Sequence, residues 1–227
     1  MPAPSLSTSP ALAVDRILRG HWDTSQTHRA ASLQIAVMVI IFGLFYGAMM
    51  GTFSGLWGDR LLQILYSAIK VPLLLGVTFV VALPSFWVVN RLMGLGDDFG
   101  RIFHGLVATQ ATLTIILAAL APFTAFWYCS SANYQGAILF NALAFAIASV
   151  AAQWRLSRYY RPLIAHNRRH RAMQAMWLIL YAFVGIQMGW TLRPFIGDPT
   201  QPAQFFRSEP FSNAYVVVGH LLLGIVR

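Results

Sequence analysis

The chain has 227 residues, of which 57% are hydrophobic and only 10% charged, with sixteen Lys and Arg against seven Asp and Glu and a net charge of +9. An ordinary soluble domain carries about 25% charged residues, so this composition excludes a water-soluble globule. The basic excess would suit nucleic acid, but most of it lies between long apolar runs, where it sets membrane orientation instead, and no nucleic-acid partner is expected.

Residues 1–10 are rich in Ser and Pro and have the composition of a disordered tail. No apolar core followed by a small-residue cleavage site occurs before residue 30, so no cleavable signal peptide is expected. Between residues 11 and 22, Val14, Ile17, Leu18 and Trp22 recur at helical spacing with Arg16 and Arg19 on other faces. Two readings stand: a helix lying on the membrane surface, or a solvated helix docked on the protein's own loops.

Five apolar runs follow, each near the roughly 20 residues that cross about 30 Å of hydrocarbon. They cover 31–53, 71–90, 105–127, 136–154 and 172–192. Residues 56–69 are mixed and read as an interfacial connector, with Pro72 in the first turn of the second span and a kink at Pro84. Residues 214–226 are apolar apart from His220 but number only thirteen. They suit a sixth span or a re-entrant helix equally. The expected fold is thus all-α: a cytoplasmic tail over 1–30, a five-helix transmembrane bundle over 31–192, and an extracytoplasmic cap with a short C-terminal apolar helix over 193–227.

Orientation follows from the basic residues. An N-terminus in the cytoplasm places Arg16, Arg19, Arg29, Arg91, Arg101, Arg155, Arg158, Arg161, Arg168, Arg169 and Arg171 on one side, and Arg60, Lys70, Arg193 and Arg207 on the other. Eleven against four is the positive-inside pattern of a bacterial inner-membrane protein. The six basic residues from Arg155 to Arg171 form a loop interleaved with Tyr159, Tyr160, His166 and His170, and facing an anionic leaflet they are expected to meet lipid headgroups.

Gly43, Gly47, Gly51 and Gly55 repeat every four residues, a glycine zipper that lets another backbone approach closely. Gly185 and Gly189 repeat the pattern in the fifth span. The partner helix is expected in the same chain, with an oligomer contact as the alternative. Lys70, beside a membrane-entry proline, is either an ammonium snorkelling to the headgroups or a gating or anion-binding group. From Trp190 through Arg193, Phe195, Phe205, Phe206 and Arg207 to Phe211, prolines and aromatics alternate with charge, and this segment is expected to form an ordered cap offering the main interaction surface. Asn90, Gln110, Asn141, Gln153 and Gln187 are polar positions in or near spans, expected to hold helices together by hydrogen bonds.

Signatures of catalysis are sparse. Asp97-Asp98 is the one adjacent acidic pair, and no zinc motif, phosphate loop or nucleophile elbow occurs. His104 and His220 lack the paired histidines a bilayer haem would need, and Cys129, the sole cysteine, allows no intrachain disulfide. Neither a cofactor nor an enzymatic reaction is expected.

Four stretches carry a resemblance: Tyr46-Gly47-Ala48-Met49-Met50-Gly51, Lys70-Val71-Pro72-Leu73-Leu74, Leu83-Pro84-Ser85-Phe86, and Trp190-Thr191-Leu192-Arg193-Pro194-Phe195-Ile196-Gly197. In these the chain resembles an uncharacterised family of bacterial polytopic membrane proteins, itself distantly similar to the five-span Yip1 family. The resemblance implies a five-helix bundle with a membrane-organising role and carries over no catalytic residue. The expected function is a non-enzymatic membrane scaffold or accessory subunit that packs against other membrane proteins or itself, with a small oligomeric channel or transporter as the alternative.

Overall fold

The computed structural model describes residues 28–58 and 60–206. It is an all-α bundle of five long helices: α1 (His28–Gly51), α2 (Arg60–Leu92), α3 (Phe99–Ser130), α4 (Tyr134–His166) and α5 (Arg169–Thr191). All five are long and apolar enough to cross a membrane, which makes this a membrane protein. The helix expected over 11–22 and the apolar run 214–226 lie outside the described residues.

The helices alternate in direction, so two groups of connections gather at opposite ends. One end holds the 3-10 turn Thr52–Ser54, the α3–α4 turn and the chain after α5; we term it the cap end. The other, the basic end, holds the 3-10 turn Gly96–Asp98 and the α4–α5 turn. Around the bundle the order is α1, α2, α5, α4, α3, each helix packing mainly on its two neighbours. Two large apolar cores fill the interior, with a smaller one where Ile35 meets Ala111 and Ile115. Tyr46, Val71, Leu75, Leu117 and Ala148 centre the one at the cap end; Phe86, Ile102, Leu106, Tyr160 and Trp177 centre the other. The outer faces expose Ile41, Val80, Phe123, Val150 and Ile179, as a lipid solvent allows.

Three expectations need correction. The mixed stretch over 56–69 is no connector beyond Gly58: α2 is one continuous helix from Arg60, with Pro72 and Pro84 both in its interior. A mid-helix proline removes a hydrogen bond, yet such breaks are tolerated in a bundle where neighbours pack against them. Here the Pro72 ring fills the space beside Gly43, 3.3 Å from where a Cβ would stand. Nor is Arg155 to Arg171 a loop. Helix α4 runs to His166 and α5 starts at Arg169, because a helix of 33 residues, about 50 Å long, projects past the hydrocarbon and keeps its backbone bonds in the headgroups. Asn167 closes the turn, its side chain accepting from the Arg169 N–H at 3.0 Å.

The third correction concerns the glycines. Gly43, Gly47 and Gly51 do form one close face, and it meets α2. A Cβ on Gly47 would stand 2.8 Å from Ala68 Cα, and one on Gly51 2.6 Å from Ile64 Cα. Gly55 has left the helix and takes φ +118° in the following turn, where the backbone conformation, not packing, demands glycine. A Cβ on Gly185 would stand 3.6 Å from Thr78 Cγ2, an ordinary contact, and one on Gly189 would meet nothing within 4 Å among the described residues. A second small-residue stripe, Ala137, Ala144, Ala148 and Ala152 of α4, is fully or nearly buried, though no glycine marks it.

Helix α3 is the most enclosed, and it carries as many buried polar side chains as α2. Its threonines satisfy themselves on their own helix. Thr109 donates to the Gly105 carbonyl at 2.8 Å and Thr112 to Ala108 at 2.9 Å. Between helices, Tyr181 donates to Gln110 at 2.8 Å, while Asn141 accepts from Tyr46 at 3.0 Å and donates to Tyr128 at 2.7 Å.

Candidate functional site

After Thr191 the chain leaves helical form and runs back along α2 towards the cap end, without secondary structure of its own. Non-helical backbone at membrane depth is stable only where protein satisfies its polar groups. Helix α2 supplies most of them from a single stripe at helical spacing: Arg60, Gln63, Ser67 and Lys70. Lys70 Nζ donates to the Pro194 carbonyl at 2.6 Å, and the Ser67 hydroxyl donates to the Phe195 carbonyl. Gln63 steadies that hydroxyl by donating to it at 3.1 Å. From across the bundle Tyr134 of α4 donates to the Ile196 carbonyl at 3.3 Å. Arg60 gathers the last three, donating to Asp198 at 3.1 Å, Gln201 at 2.8 Å, and Pro199.

The strap over 193–206 is therefore a carbonyl-rich peptide held by donors on one helix face. Gly197 makes the closest approach: a Cβ there would stand 2.6 Å from Gln63 Cγ and 2.8 Å from Ser54 Oγ. Gly197→Val should therefore lift the strap from α2 while leaving the five spans inserted. We expect a stability loss of about 1–3 kcal/mol and faster protease cleavage at the exposed residues 199–202. Wild-type cleavage rates in Gly197→Val would show that the strap is seated elsewhere.

Lys70 is fully buried, ten residues or about 15 Å inside α2 from Arg60. The snorkelling reading fails for that reason: the helix starts eleven residues earlier than expected and the strap covers the ammonium. No carboxylate among the described residues pairs with it. Its charge faces the Pro194 carbonyl and the Phe205 ring, 4.9 Å from the centroid. Phe205 packs edge-on against Tyr66 at 5.3 Å and against Phe206 at 4.8 Å, and Phe195 packs on the cap-end core. Of the expected interaction residues, Lys70, Phe195 and Phe205 thus act inside the chain. Arg193 stacks over Trp190, its Cζ 3.3 Å from the ring centroid. Phe206 is 44% exposed, and Arg207 lies outside the described residues. Beneath the strap a cavity of about 350 Å³ is lined by apolar side chains, among them Met50, Leu74, Ile138 and Phe145, with Arg193 and Asn141 at its wall.

The six basic residues expected at the lipid surface separate into different roles. Arg155 reaches across to α3, donating to the Thr112 hydroxyl and to the Ala108 carbonyl at 3.3 Å; it ties two helices and does not face headgroups alone. Arg158 lies 3.9 Å over the Trp154 ring, and Arg169 donates to the Met93 carbonyl at 3.0 Å. Arg161, Arg168 and Arg171 are exposed. Among the described residues no group of three or more His, Cys, Asp or Glu comes together to hold a metal. Asp98 of the acidic pair instead meets His170 Nε2 at 3.2 Å, joining the starts of α3 and α5.

Sequence reasoning counted Arg60 only among the basic residues of the outer side and gave Gln63 and Ser67 no role. Their signal was present: four polar residues spaced three, four and three apart mark one helix face. Read as part of a mixed connector, that periodicity went unused. Comparison with protein-family models, curated proteins and solved structures finds no match for this chain.

Proposed function

We propose that the protein is a non-enzymatic scaffold or accessory subunit of a membrane protein assembly, in a bacterial inner membrane with the N-terminus and basic end in the cytoplasm. One observation carries the reading: most of the buried polar side chains inside the bundle are tied to the chain's own backbone and helices, with Thr78 and Asn90 the exceptions. Ser67, Lys70, Gln110, Asn141 and Arg155 all have partners within the chain. A transport path needs such groups facing an aqueous route, and a rigid packing module needs them satisfied internally. The alternative of a channel or transporter loses Lys70 and the Gly43 to Gly51 face, which both serve internal packing.

A scaffold also needs a surface for its client. At the cap end Leu56 is 55% exposed and Trp57 85%, next to Gly58 in a turn closed by the Arg60 N–H on the Trp57 carbonyl at 3.3 Å. Large exposed apolar groups on a fixed turn favour protein contact or the headgroup boundary. Purification of the full chain in a mild detergent should recover the same membrane proteins with wild-type and with Phe195→Leu, whose change is internal. Trp57→Ser with Phe206→Ser should lose them while the bundle stays inserted. Unchanged partner ratios in the double variant would remove the scaffold's interface.

A further inference from the structure

A separate cleft of about 570 Å³ opens at the basic end between α3 and α4, lined by Asp98, Arg101, Arg158, Tyr159, Pro162, Leu163 and His166. From this cleft we infer that the protein holds one anionic phospholipid, with its phosphate between Arg101 and Arg158 at the headgroup level of the leaflet that meets the basic end.

Three features carry the inference. The first is construction. Gly105 of α3 lets the Tyr159 ring lie against the helix, since a Cβ there would stand 2.7 Å from Cδ1 and Cε1. The Tyr159 hydroxyl then donates to the Arg101 carbonyl at 2.7 Å, so a bridge between the two helices fixes one wall of the cleft. The second is charge. Two guanidiniums and an imidazole line the cleft against one carboxylate, Asp98, which already meets His170 at 3.2 Å. Guanidinium forks match phosphate oxygens in geometry as well as sign. The third is depth. Arg158 stacks at 3.9 Å on Trp154, which is 58% exposed, and an exposed tryptophan on a spanning helix belongs at the edge of the hydrocarbon. Arg158 is one turn further out, where lipid phosphates lie. Leu163 and Pro162 supply an apolar wall for the glycerol and the first acyl carbons.

The location favours a lipid over a dissolved ion, because the bilayer supplies the headgroup at high local concentration and its acyl chains continue down the lipid-exposed helices. The net positive lining favours phosphatidylglycerol over a zwitterionic lipid.

The full chain, purified in neutral detergent and titrated with phosphatidylglycerol or phosphatidylcholine, would be read by native mass spectrometry. Wild-type and Arg161→Gln, whose exposed side chain lies outside the cleft, should each retain one phosphatidylglycerol per chain. Arg101→Gln and Arg158→Gln should each weaken retention about fivefold, and Lys at either position should restore most of it. Equal retention of phosphatidylcholine would overturn the proposal. So would unchanged retention in both Gln variants, each confirmed folded by its thermal midpoint. Displacement of the lipid by millimolar inorganic phosphate would do the same, making the cleft a soluble-anion site.

Discussion

Gly47→Leu should leave almost no folded protein. Its Cβ would stand 2.8 Å from the Ala68 Cα and 3.0 Å from the Ala68 carbonyl oxygen, and it would strike the Ser67 carbonyl as well. These are backbone atoms of a continuous helix, so nothing can swing aside to make room. The α1–α2 crossing would have to open along its length, and it is the most extensive helix contact in the bundle. We expect a loss of more than about 3 kcal/mol, beyond the usual range for overpacking because the obstacle is rigid. Against a total stability of about 5–15 kcal/mol, that should abolish a monodisperse peak in detergent size-exclusion. Gly189→Leu serves as the internal control. With nothing within 4 Å of its Cβ position among the described residues, it should shift stability by no more than about 0.5 kcal/mol. A monodisperse Gly47→Leu with the wild-type thermal midpoint would mean that the two helices do not approach so closely.

The second large effect is expected at Lys70. Lys70→Met keeps the length and apolar stem but removes the one donor to the Pro194 carbonyl among the described residues. A buried carbonyl left without a partner costs about 1–3 kcal/mol, and the Phe205 ring loses its cation as well. The strap should loosen first where α2 holds it, so cleavage near residues 199–202 should accelerate and the thermal midpoint fall. Lys70→Glu should be worse, because a buried carboxylate would face the Pro194 carbonyl oxygen, acceptor against acceptor. If Lys70→Met protects the strap as well as wild-type, the ammonium does not hold it. A transporter would show the opposite pattern: an intact strap and lost flux.

These two residues differ in how far the sequence alone could take them. The glycine face was legible because its meaning is local: residues four apart share a helix face, and a missing side chain there has one structural use. The partner could not be read, since α2 meets it through Ile64, Ala68 and Pro72, none of which carries a comparable mark. Lys70 was conspicuous in an apolar stretch, but its burial depended on where α2 begins. Pro72 suggested a helix start nearby, and the true start at Arg60 puts the lysine ten residues inside the helix.

The five crossings were determined by the sequence itself. Lipid cannot hydrogen-bond to backbone, so each crossing must be a helix of about 20 apolar residues, and such runs are visible one by one. The basic residues between them can also be counted, and the proposed orientation rests on that count. The tertiary structure decided what happens to the polar groups that this solvent cannot satisfy. The strap's carbonyls find Lys70 and Arg60 across 124 to 141 residues of chain, and Tyr159 finds Arg101 across 58. A hydrogen bond between distant segments leaves no periodicity in either one. It exists because the bundle brings α2 beside the returning chain and α3 beside α4, where pairing spares these polar groups the cost of standing alone in hydrocarbon.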